Sequence, residues 1–140
     1  MIWIGIDTGT HTGFAVWDGS RFVAISTLPI HQALEEVMKW KAQTDELFVV
    51  FEDARQRKWY GERSNAKMQG AGSVKRDCNI WEDFLKDKRI PYRAVPPTPG
   101  ATKLSAAYFK QISHWEGKTS EHARDAAMLV IGQKRPKQYF

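Results

Sequence analysis

The sequence predicts an α/β chain: a five-stranded mixed sheet, three antiparallel strands followed by two parallel ones, with helices on both faces. Three observations predict it. Ile2, Ile4 and Ile6 alternate with Trp3 and Gly5 at the period of a strand, and two glycine-containing turns then return the chain twice. Leu47 to Phe51 is a continuous apolar run of the kind that strands buried on both faces carry. Between and after these runs the apolar residues switch to helical spacing.

In order, the first strand ends at Asp7, and Thr8 to Gly13 reads as a hydroxyl-rich glycine turn leading into a second strand, Phe14 to Trp17. Asp18-Gly19-Ser20 is a hairpin connection, and Arg21 to Thr27 is the third strand, closed by Pro29. Ile30 to Lys41 places Ala33, Leu34, Val37 and Met38 on one helical face, flanked by Trp40. The buried fourth strand stops at Glu52-Asp53, followed by a polar, basic loop over Ala54 to Ser64. Asn65 to Lys88 is the longest helical pattern, with Met68, Ala71, Cys78, Trp81, Phe84 and Leu85 roughly on one side and Gly70 and Gly72 allowing close packing. Tyr92 to Val95 is a short fifth strand. A proline-rich loop precedes a helix over Ala101 to Trp115, with Lys103 at its start, where a cation opposes the helix dipole and so has another use. Ser120 opens the last helix, which holds His122 and Asp125 three residues apart on one side of a turn.

One domain spanning 1–140 is expected, since a chain of this size buries a core of its own. No apolar run reaches the roughly 20 residues that cross a bilayer. With no signal-peptide pattern, the expected location is the cytoplasm. The single cysteine, Cys78, excludes an internal disulfide and a cysteine-based zinc site, leaving oxygen and imidazole ligands for any metal. A net charge of +5 favours a polyanionic partner, and the placement of the cations sharpens that. Arg55, Arg57, Lys58 and Arg63 interleave with Trp59 and Tyr60. Lys67, Lys75 and Arg76 follow, and Lys134, Arg135 and Lys137 form a basic tail.

Asp7 and Glu52 end two strands that a right-handed crossover would make neighbours, and Asp125 with His122 supplies a third acidic position. An Asp at a strand end can simply start a turn, and a lone histidine is more often structural. Several carboxylates together, however, need a neutralising cation, and hard oxygen donors suit Mg²⁺ or Mn²⁺. Two such ions about 4 Å apart can activate water and stabilise the leaving oxygen in phosphodiester cleavage.

These segments resemble the RNase H-like superfamily, and within it the RuvC family of Holliday-junction resolvases. The likeness rests on Ile4 to Gly9 through Thr12 to Ala15, Val49 to Glu52, Lys67 to Gly72, Pro96 to Lys103, and His122 to Ala127. It implies a metal-dependent endonuclease that resolves four-way junctions or other branched DNA as a homodimer, with contact through the 65–88 helix. It carries metal ligation onto Asp7, Glu52, His122 and Asp125, with two Mg²⁺ or Mn²⁺ ions per site, and phosphate contact onto Lys103. Arg55, Lys58, Trp59, Arg63, Lys67, Lys75 and Arg76 are the expected DNA contacts. His122 stands where the family more often has Asp, which lowers the formal charge of the site. Asp53 and Glu121 are extra acids beside the expected ligands, and strand alternation turns Asp53 away from Glu52. The alternatives are an RNase H-like nuclease acting on precursor ribosomal RNA and a non-catalytic branched-DNA-binding protein.

Overall fold

The computed structural model describes residues 1–56, 65–97 and 104–135, with side chains from 65 to 71 left aside. Strands β1 (Ile2–Asp7), β2 (His11–Trp17) and β3 (Phe22–Pro29) form an antiparallel meander. Helix α1 (Ile30–Gln43) then crosses over to β4 (Leu47–Glu52), which lies parallel to β1, and α2 (Asn65–Asp87) crosses to β5 (Tyr92–Val95), parallel to β4. Helices α3 (Ala106–Ser113) and α4 (Glu121–Met128) complete the chain. The sheet order is β3-β2-β1-β4-β5, so β1 is central and β4 is its parallel neighbour.

The strand period decides which side chain meets which layer. Ile4, Ile6, Phe14, Val16, Val49 and Phe51 point to the face covered by α1 and α2, where they meet Ala33, Val37, Cys78, Trp81 and Leu85. Trp3, Ala15, Trp17 and Val50 point to the opposite face and pack with Phe109, Ala126, Ala127 and Val130 from α3, α4 and the turn after it. Each large side chain buried in this way contributes about 1.5–3 kcal/mol. β4 is covered on both faces, which is why its sequence shows no polar alternation.

Several boundaries differ from the sequence expectation, each for a local reason. β2 begins at His11, so the turn after Asp7 is confined to Thr8–Thr10 and Gly13 lies inside the strand, opposite Asp7. β3 runs on to Pro29, which serves as the N-cap residue of α1. α3 is shorter than the 101–115 pattern: the Ser105 side chain accepts from the Tyr108 amide and caps its start, while His114 in the left-handed region stops it. Lys103, expected at the start of this helix, lies outside the described residues. Among the described residues Gly72 makes no close contact: a Cβ there would have no neighbour within 4 Å. Gly72→Ala is accordingly expected to stabilise the fold by about 0.5–1 kcal/mol, read as a higher melting temperature, because it removes backbone entropy from the unfolded chain.

Candidate functional site

Asp7 is the last residue of the central strand, and β4 beside it runs parallel, with Ile6 opposite Phe51, so Glu52 ends the neighbouring strand. Two carboxylates are thereby delivered to one edge of the sheet. The third contribution comes from α4, and its placement depends on two glycines. A Cβ on Gly13 would lie 2.0 Å from the His122 carbonyl oxygen, and one on Gly5 would lie 2.1 Å from the Ala126 carbonyl oxygen. Only hydrogen at these two strand positions lets the helix backbone rest directly on β1 and β2. A glycine inside a strand often marks such a close approach, and that signal was present at Gly5 and Gly13.

Seated this way, α4 brings the His122 Nδ1 to 2.8 Å from Asp7 Oδ2. The Asp7 side chain is 14% exposed and that of His122 is 58% exposed, so the pair sits at the rim of the sheet. With the carboxylate as acceptor, His122 Nδ1 is the donor of this bond and Nε2 is the ring nitrogen directed away from Asp7. Asp125 is half-buried one turn further along the same helix. Ser120 caps α4 by accepting from the Ala123 amide, and its hydroxyl also bonds Thr27 of β3. Arg124 was not anticipated: it donates to the Leu104 carbonyl at 3.0 Å and to the Thr119 carbonyl at 2.6 Å, tying α4 to the chain leading into α3.

Below the two strand ends lies a second set of contacts. The Thr8 hydroxyl donates to the Glu52 carbonyl at 3.3 Å and lies 3.5 Å from the Cys78 thiol, which itself reaches toward the same carbonyl. Asp53 is 4% exposed and faces away into a polar clamp. Burial alone would raise its carboxyl, but hydrogen bonds from the Arg55 and Gln56 side chains and from the Arg55 amide outweigh burial and hold it below the usual carboxylate value. The reciprocal hydrogen bond with Asp53 raises the Arg55 guanidinium above its ordinary value. Stability from Asp53 is therefore complete above its unfolded value of 3.8 and is lost as the pH falls through the lower folded value. In urea melts with chelator present, Asp53→Asn is expected to lower the midpoint at neutral pH, the gap to wild type closing as the pH falls below the ordinary carboxylate range.

The sequence-expected residues fare unequally. Asp7 and His122 are in contact, Glu52 ends the adjoining strand, and Asp125 shares the helix with His122. Among the described residues, no three His, Cys, Asp or Glu side chains are gathered closely enough to hold a metal ion. The donor chemistry of carboxylates with one imidazole suits a hard divalent cation. Arg55, expected to touch DNA, is committed inside the chain to Asp53, Asn79 and Glu82. Lys75 and Arg76 are exposed on α2. Lys58, Trp59 and Arg63, like Lys103, lie outside the described residues, as does the side chain of Lys67. Arg135 of the basic tail pairs with Glu46, which also faces the N-terminal amine. No helix among the described residues is long and apolar enough to cross a membrane. No protein-family model and no curated protein matches the chain.

Proposed function

We propose that this chain is a Mg²⁺- or Mn²⁺-dependent endonuclease that resolves Holliday junctions or other branched DNA, acting as a homodimer in the cytoplasm. The observation that carries the reading is the meeting of Asp7 and His122 at the end of the central strand, beside the parallel strand that ends in Glu52. A fold that spends two strand glycines on bringing one helix against an acidic strand end favours a site over a chance surface pair. The net charge of +5 suits a polyanionic substrate.

In this reading Asp7, Glu52, His122 and Asp125 hold the metal. Divalent ions held there would supply Lewis acidity for phosphodiester hydrolysis to 5′-phosphate and 3′-hydroxyl ends. Asp7 orients the His122 ring through Nδ1, which leaves Nε2 as the nitrogen available for ligation. Glu52 and Asp125 contribute oxygen donors from two further elements, so the site requires the complete fold. Lys103 contacts the scissile phosphate, and Lys58, Trp59, Arg63, Lys67, Lys75 and Arg76 engage the strands near the branch by charge and stacking.

The test is cleavage of a labelled four-way junction beside a linear duplex and an RNA–DNA hybrid of matching sequence, with Mg²⁺, with Mn²⁺ and with chelator. Paired symmetric nicks confined to the junction and abolished by chelator are expected. Cutting of the hybrid would move the protein to the RNA nucleases, and tight junction binding without cutting would make it a binding protein. A second expectation concerns the basic segment: Lys58→Ala with Arg63→Ala weakens junction binding and makes the slope of log affinity against log salt shallower by about 1–2. An unchanged slope removes both residues from the contact surface.

A further inference from the structure

Arg55 lies three residues beyond Glu52, and its guanidinium serves acceptors on two elements at once. Nε and Nη2 fork onto the two oxygens of Asp53 at 2.7 and 3.0 Å. Nη1 reaches Asn79 Oδ1 at 2.8 Å and Glu82 Oε1 at 3.3 Å, both on α2. Glu82 accepts in turn from the Tyr92 hydroxyl of β5 at 2.9 Å. The backbone closes the ring, because the Asp53 amide donates to the Val95 carbonyl at 2.7 Å. One side chain thus joins the end of β4, the middle of α2 and both ends of β5.

We propose that Arg55 is a positioning residue: its fork onto Asp53, anchored to α2, fixes the backbone that presents Glu52, and it acts on the reaction through Glu52 instead of gripping a nucleic-acid phosphate. The catalytic half of this inference rests on the nuclease reading above. Two features separate the role from ordinary phosphate contact. The Arg55 side chain is only 25% exposed, and four of the five guanidinium N–H donors meet acceptors among the described residues. Its planar geometry is also the one property that lysine does not reproduce, since an ammonium is a single point of charge. Among the described residues Asp53, buried beside Glu52, bonds no other cation, so whatever holds Asp53 also holds the strand end.

Arg55→Lys and Glu82→Gln, each compared with wild type, distinguish the roles. Positioning predicts that both variants lower kcat for junction cleavage by about tenfold or more, while junction affinity and its salt slope stay within about twofold of wild type. A phosphate contact predicts the reverse: Arg55→Lys cuts normally, Glu82→Gln is silent, and Arg55→Ala makes the salt slope shallower by about one. That pattern overturns the proposal. A readout independent of activity is amide exchange in the metal-free protein. The Asp53 and Gln56 amides, bonded to the Val95 and Asp53 carbonyls, are expected to exchange at least about tenfold faster in Arg55→Lys than in wild type. Unchanged exchange at both amides overturns the proposal as well. Should wild type cut no branched DNA, the nuclease reading fails, and the exchange experiment still decides whether Arg55 braces the strand end.

Discussion

Gly13→Ala is expected to abolish junction cleavage and to lower the melting temperature by several degrees. The added methyl would sit 2.0 Å from the His122 carbonyl oxygen, 2.5 Å from its carbonyl carbon and 3.0 Å from the Asp7 Cβ. The first two are backbone atoms, so no side chain can swing aside, and α4 must lift from the sheet. Overpacking of this kind costs about 1–3 kcal/mol. The helix carries His122 with it, and a hydrogen bond of 2.8 Å to Asp7 does not survive a displacement of an ångström or more. Activity should therefore fall further than stability does. Gly5→Ala, which meets the Ala126 carbonyl oxygen at 2.1 Å, is expected to behave alike, whereas Gly72→Ala moves the melting temperature the other way. A Gly13→Ala protein that melts and cuts like wild type would show that α4 does not rest on β2 in this manner.

Asp7→Asn is the second large effect. Cleavage is expected to fall on the order of a thousandfold, the scale on which a single group aimed at the reacting centre acts. Junction binding and the melting temperature should change little, because the asparagine amide oxygen can still accept from His122 Nδ1. The asymmetry between binding and cutting is the informative part, read by gel shift in chelator beside cleavage in Mn²⁺. Loss of binding together with cleavage would make Asp7 a structural residue of the turn.

The order of elements and the neighbouring strand ends were legible because they follow from strong periodic signals. The alternation of Ile2, Ile4 and Ile6 and the unbroken run Leu47 to Phe51 each leave one reading, and the parallel crossover then sets Asp7 beside Glu52. The ends of elements were less legible. Gly13 resembles a turn residue in one dimension, and its reason for being glycine is a carbonyl 109 residues further on. Arg55 shows the same limit from the other side. A run of cations beside aromatics reads as a nucleic-acid surface, yet one of them is consumed by a buried aspartate two residues before it and by a helix 24 and 27 residues after it. Local composition carries charge but not commitment, and commitment is decided by tertiary contacts.

The hydrogen bond between Asp7 and His122 spans 115 positions of the chain. Strand β1 leaves the ribosome before α4, which cannot dock on Gly5 and Gly13 until all the residues between them have been made. Any chemistry at this site is thereby silent throughout synthesis and throughout every partly folded state that lacks α4. For a protein whose proposed substrate is branched DNA, the long sequence separation acts as a safety catch, released only by completion of the fold.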